Sequence, residues 1–197
     1  MKFLHISDLH IGKKFREADF TEDQIPILNE IIGITDDIKP DGIFIAGDIY
    51  DRSVPATNAV NLFDDFLTKL EMRGIKTFII SGNHDSPERL NFGKNIMGKN
   101  GIYIAGTFKG AMEKVTLEDE FGSIYIYLLP FIKPSMVANY MKDADTSTYE
   151  KAVKAVIDAA QIDVSKRNIL VAHQFVTNQG IEPEKSESEL LSIGGLD

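Results

Sequence analysis

The 197-residue chain contains no cysteine. Disulfides and thiolate metal sites are therefore excluded, and any metal must sit on His, Asp, Glu or Asn. Long apolar runs are missing too. The longest, around Ile124 to Ile132, is too short to cross a membrane. Met1 to Ile6 is apolar after one Lys, but Asp8 and His10 interrupt it before a secretory core can form. A cytoplasmic location with no membrane association is the default expectation. Low-complexity segments and internal repeats are absent as well. Positive charge is scarce: Lys and Arg number 21 against 30 Asp and Glu, a formal net charge of −9. This speaks against a general nucleic-acid coat, which would be basic. A DNA enzyme is not excluded, because bound divalent cations and a basic partner can supply the charge.

What remains is ordinary for a soluble globular chain, 43% apolar and 26% charged. Its length suits one domain with a sizeable core. Residues 2–7 (KFLHIS) read as a short buried strand. Thr21 is expected to cap a helix, with Gln24 three residues on. Ile25, Leu28, Ile31, Ile32 and Ile38 follow at helical spacing, and Pro40 and Gly42 stop it. Residues 42–46 (GIFIA) read as a second strand, 56–73 as a helix closed by Gly74, and 75–80 as a third strand. This β-α-β-α-β order predicts parallel strands. Residues 102–105, 112–117 and 123–129 read as short strands of a second, partly antiparallel sheet. A helix over 148–160, a strand over 168–172 and a polar loop over 182–189 complete the pattern. No domain boundary is visible.

Four of these strands stop at metal-capable residues. They lead into Ser7-Asp8-Leu9-His10, Gly47-Asp48-Ile49-Tyr50-Asp51, Gly82-Asn83-His84-Asp85 and His173. Ligands of open α/β sheets bind beyond the carboxyl ends of the strands, and parallel strands would bring these ends together. In extended backbone, residues two apart point the same way, so Asp8 and His10 are expected to grip one ion. Asp48 has two oxygens with which to bridge two ions, and Asn83 and His173 add an oxygen and a nitrogen. Such sulfur-free ligands suit manganese, iron or zinc. Singly, Asp-x-His or Gly-Asp is usually a plain turn; the ordered conjunction points to metal chemistry. His5 lies within the strand at opposite parity, which predicts a core histidine. Asp85 reads as a turn or supporting residue rather than a ligand.

DLH, GDIYDR, GNHD and a later His resemble the calcineurin-like metallophosphoesterase superfamily. The resemblance implies a βαβαβ core in a two-sheet β-sandwich flanked by helices, with a dinuclear metal centre. Within the superfamily, FLHISDLHIGK, GDIYDRSVPATNAV, GNHDSPERL, GIYIAGTF and SESELLSIGGLD are similar to SbcD-type nuclease subunits. Carried over, the resemblance implies Asp8 and His10 on the first metal, Asp48 as the bridge, and Asn83 and His173 on the second. It makes His84 the group that stabilises or protonates the leaving oxygen, oriented by a hydrogen bond to Asp51. It implies manganese-dependent cutting of single-stranded DNA and duplex ends, in DNA repair and recombination. It also implies an SbcC-type ATPase partner and a homodimer built on helices such as 56–73 and the segment after GNHD. Arg52, then Arg89, are the first candidates for phosphate contacts, with Lys13, Lys14 and Arg16 less specific.

The family's last motif, Gly-His-x-His, adds a histidine to each metal and is missing here. The expectation is a C-terminally incomplete phosphoesterase domain with weak manganese binding, little nuclease activity, an unpaired sheet edge and a tendency to self-associate. The main alternatives are a metallophosphatase acting on proteins or small phosphoesters, disfavoured by GNHD in place of GNHE, and a catalytically silent scaffold.

Overall fold

The computed structural model describes residues 1–16 and 18–176. The polar loop expected over 182–189 and the SESELLSIGGLD stretch lie outside the described residues. In chain order the elements are β1 (Phe3–Ile6), β2 (Lys14–Phe15), β3 (Ala18–Asp19), α1 (Thr21–Ile38), β4 (Gly42–Ala46), α2 (Thr57–Glu71) and β5 (Lys76–Ile80). Next come α3 (Pro87–Leu90), α4 (Lys94–Met97), β6 (Ile102–Ala105), β7 (Glu113–Asp119), β8 (Gly122–Leu129), α5 (Pro134–Ala138), α6 (Tyr149–Ala159) and β9 (Arg167–Ala172). No described helix is long and apolar enough to cross a membrane.

The strands build two principal sheets. The first has the order β1-β4-β5-β6 and is parallel throughout. The second has the order β7-β8-β9, antiparallel between β7 and β8 and parallel between β8 and β9. Consecutive residues of β4 face opposite ways, as the strand period of two requires. Ile43 and Ile45 pack with Leu28 and Ile32 of α1 and with Phe63, Phe66 and Leu70 of α2. Phe44 and Ala46, with Phe78 and Ile80 of β5, pack on Leu117, Ile124, Ile126, Leu128 and Val171 of the second sheet. Leu129 and Ile132 then meet Val137 of α5 and Ala152 and Val156 of α6. The layers thus run helix, sheet, sheet, helix, the expected two-sheet α/β sandwich. Burial on both faces explains why β4 and β5 read as unbroken apolar runs rather than alternating ones. Aromatic contacts run across the first sheet on the face toward the second: Phe3 with Phe44 at 4.9 Å, Phe44 with Phe78 at 5.4 Å, and Phe78 with Tyr103 at 5.2 Å between centroids.

Helix ends follow local chemistry. After α2 the Gly74 N–H donates to the Glu71 carbonyl and the Ile75 N–H to the Leu70 carbonyl, and Gly74 has φ +69°. That is the paired closure that needs a left-handed residue, and glycine supplies it without a Cβ penalty. Thr148 caps α6 by accepting from the Lys151 N–H at 3.2 Å.

Several expectations are corrected. Thr21 does not cap α1. Phe20 holds the cap position, while Thr21 is the first helical residue and donates to Asp19 through its hydroxyl at 2.5 Å and its N–H at 3.0 Å. Asp19, one residue before the cap, takes the role that the Ser/Thr rule assigns to Thr21. β6 belongs to the first sheet, parallel to β5. Residues 81–101, through α3 and α4, give the long crossover that a parallel neighbour needs. Those one-turn helices are too short to show a helical period. β9 lies in the second sheet, so the fourth ligand-bearing strand end approaches the others from across the sandwich. His5 is exposed on edge strand β1 rather than buried in the core.

Candidate metal centre

The site forms where the chain leaves β1, β4 and β5 and meets the end of β9. Past Ile6 the backbone is no longer extended. The N–H groups of Asp8, His10 and Ile11 donate to the carbonyls of Gly47, Asp48 and Ile49 at 3.1, 3.0 and 2.8 Å. Asp8, His10 and Asp48 all have positive φ, at 55°, 43° and 48°. Asp8 and His10 therefore converge through left-handed turns and not through the strand parity expected from their spacing. A left-handed L-residue costs about 1–2 kcal/mol. Such cost concentrates at functional sites and is held by surrounding structure.

Asp48 is the hub, 3% exposed. Its Oδ1 accepts from the His84 N–H at 2.9 Å and lies 3.6 Å from His173 Nε2. Its Oδ2 lies 3.7 Å from His10 Nε2 and 3.9 Å from His84 Nε2. Burial pushes the Asp48 carboxyl up, but His173 and the His84 N–H outweigh it, leaving a net shift downward. Burial pushes His173 down, and the Asp48 carboxylate more than reverses this, so its net shift is upward.

Each remaining residue has a defined place. Asp8 Oδ1 lies 4.0 Å from His10 Nε2. His173 Nδ1 donates to the Ala46 carbonyl at 2.7 Å, which aims Nε2 at Asp48 and at Asn83 Oδ1, 3.3 Å away. His84 Nδ1 donates to the Asp51 carbonyl at 3.0 Å. A carbonyl can only accept, so that nitrogen carries a proton and Nε2 faces the centre. The hydrogen bond expected between Asp51 and His84 thus comes from the Asp51 main chain. The Asp51 carboxylate turns to His10 Nδ1 at 3.7 Å and Arg52 Nε at 3.8 Å. Arg52 is exposed beside the site, and Arg89 is exposed on α3. Lys14 pairs with Asp19 at 3.1 Å.

Asp85 is a buried clamp and not a member of the cluster. It accepts from the N–H groups of Ile49, Tyr50 and Gly82 at 3.2, 3.0 and 2.8 Å, tying the β4 and β5 loops together. Burial pushes its carboxyl up further than these bonds bring it down. Two glycines let the loops touch. A Cβ on Gly82 would lie 2.0 Å from Asp48 Oδ1, and one on Gly47 would lie 2.5 Å from the His173 ring. The motif spacing shows neither clash, and neither is readable without the fold.

Among the described residues two groups of side chains could hold an ion: His10, Asp48 and His84, and Asp8, Asp48 and His173, each with ligand atoms within 4.8 Å of one another. Asp48 belongs to both. The histidine contacts to Asp48, at 3.6–3.9 Å, are too long for hydrogen bonds. They match the span of two ligands on one ion at about 2.1 Å each. His10 Nδ1 is buried with no hydrogen-bond partner. The donor set therefore fits divalent cations. His84 comes within the cluster, beside the residues expected as ligands.

The calcineurin-like phosphoesterase family pattern matches residues 1–193. The chain belongs to that family. The SbcD component of the SbcCD nuclease of Staphylococcus epidermidis is 35% identical to it over 200 residues, an alignment covering 100% of this chain and 52% of that protein. The chain thus spans about half the length of this curated relative.

Proposed function

We propose that this chain is the phosphodiester-hydrolysing domain of an SbcD-type nuclease acting on DNA. The observation that carries the reading is the buried carboxylate of Asp48, shared by two converging ligand groups, one of which includes His84. Asp8, His10, Asp48, Asn83 and His173 would hold two divalent cations, manganese first among them. Bound there, the cations would polarise a phosphoryl oxygen and activate a water.

The chain's own side chains orient and neutralise. Asp48 supplies the shared negative charge. The Ala46 carbonyl fixes the tautomer of His173, and the Asp51 carbonyl fixes that of His84. His84, one-third exposed, would donate its Nε2 proton to the leaving oxygen when the ring carries a proton on both nitrogens. Arg52 and Arg89 meet flanking phosphates. The relative's name supports the nuclease assignment and, with it, an SbcC-type partner subunit; a role in DNA repair and recombination and a cytoplasmic setting extend the proposal. A homodimer through α2 and the segment after GNHD is supported by exposed apolar residues there: Phe92 at 84%, Ile96 at 71% and Val60 at 41%.

The test is His84→Ala in the protein at the relative's full length. Loss of manganese-dependent cleavage of single-stranded DNA, with folding and cation binding retained, is the expected result. Hydrolysis of a small phosphomonoester with none of DNA by the unmutated protein would replace the nuclease with a phosphatase.

A further inference from the structure

The loop that carries Asp8 and His10 is held from a second side by one residue outside every motif. The N–H groups of Asp8, His10 and Ile11 are spent on the β4 loop. The carbonyls of Leu9 and His10 and the N–H of Gly12 point elsewhere, and the side-chain amide of Gln24 meets all three. Its Nε2 donates to the Leu9 carbonyl at 3.1 Å and the His10 carbonyl at 2.9 Å, and its Oε1 accepts from the Gly12 N–H at 2.9 Å. Gln24 lies in the first turn of α1, where its own N–H donates to the Phe20 carbonyl at 3.0 Å. The helix thereby acts as a fixed post. Gly12, at φ +85°, leaves no slack on the other side, because a Cβ there would lie 2.9 Å from the Ala59 Cβ of α2.

We propose that Gln24 is a positioning residue, holding the left-handed turn from Asp8 to Gly12 in the geometry that presents Asp8 and His10 to a divalent cation. The chemistry demands an amide. A carboxylate of the same shape keeps the bond from Gly12 but faces two carbonyl oxygens with no hydrogen to give. An aliphatic side chain leaves the Leu9 carbonyl and the Gly12 N–H unpaired and the His10 carbonyl with the Lys13 N–H alone, at 3.1 Å. The cation part rests on the metal reading above, whereas the loop part does not.

The experiment compares Gln24→Glu and Gln24→Ala with Asp36→Ala, which removes the Asp36–Arg73 pair at the far end of α1 and leaves the Gln24 contacts intact. Hydrogen exchange over residues 7–13 reads the loop, and calorimetric titration with manganese reads the site. Both Gln24 variants are expected to exchange residues 7–13 at least about ten-fold faster while the second half of α1 keeps its protection. Manganese affinity is expected to fall about 10–100-fold, the usual effect of losing an outer support of a ligand. Asp36→Ala is expected to lower the melting temperature and change neither readout. Unchanged exchange at residues 7–13 in Gln24→Glu overturns the proposal, as does faster exchange with unchanged manganese affinity. If the unmutated chain takes up no manganese, the metal reading fails on its own, and the exchange result still decides whether Gln24 holds the loop.

Discussion

The two sheets contribute to the centre in different ways. The parallel sheet sends all its carboxyl ends to one edge, and three of its loops deliver Asp8, His10, Asp48, Asn83 and His84 there. The mixed sheet turns back on itself at residues 119–122 and delivers one candidate ligand, His173, from the end of β9, the strand parallel to β8. The central strands of the first sheet, β4 and β5, are buried on both faces, whereas β9 has the intermediate and exposed residues of an edge. Direction of strands decides how much chemistry a sheet can gather, because only parallel strands share a carboxyl edge.

The sharpest way to break this comparison is to remove one residue from each side. Asp48→Ala deletes the oxygen pair common to both ligand groups and is expected to abolish measurable divalent-cation binding. His173→Ala should leave one cation bound and the fold intact. Titration calorimetry gives both stoichiometries, and equal losses in the two variants would show that the sheets do not contribute separately.

The next effect concerns stability. Gly82→Ala places a Cβ against a buried carboxylate and is expected to cost about 3 kcal/mol or more, as overpacking of a rigid site does. Gly33→Ala lies inside α1 with nothing within 4 Å of the new atom, and is expected to stabilise by about 0.5–1 kcal/mol. Urea unfolding of the two variants measures the contrast. A mild Gly82→Ala would mean that the loops give way more easily than their packing suggests.

The smallest effect belongs to the mixed sheet. The Arg167 guanidinium, with help from the Phe121 N–H and the N-terminal ammonium, holds the Asp119 carboxyl far below the ordinary carboxylate range. A lowered carboxylate pKa contributes stability that is present above the unfolded value of about 4 and lost as the pH falls toward the folded one. The stability gap between the parent and Asp119→Asn should therefore be small and constant from pH 8 to about 5, then shrink below about pH 4. A gap that widens in acid would reverse the assignment. Because this group is only partly buried, salt should narrow the gap as well.

Much of this is legible in the sequence where periods are long or residue types are chemically rare. β4, α2, β5 and α6 stand within one or two residues of their expected bounds, and Asp8, His10, Asp48, Asn83, His84 and His173 lie together. What escapes has physical reasons. One-turn helices such as α3 show no period. Sheet membership of β6 and β9 depends on crossovers and not on the strands' own residues. Asp8 and His10 meet through positive φ, which spacing cannot reveal. Gln24 looks like half of a capping pair because its spacing from Thr21 fits one, yet its amide serves a loop that returns from β1. Asp51 draws notice for its side chain, whereas its carbonyl makes the contact to His84.

The bond from His173 to the Ala46 carbonyl joins residues 127 positions apart. A ribosome makes the chain in order, so the DLH, GD and GNHD loops leave the exit tunnel well before their partner from β9. A growing polypeptide therefore passes through a long interval with most of its candidate ligands made and His173 still to come. The second sheet adds His173 to that set. His173 cannot join the centre until β9 has been synthesised and docked, which makes order of manufacture part of how the topology assembles the site.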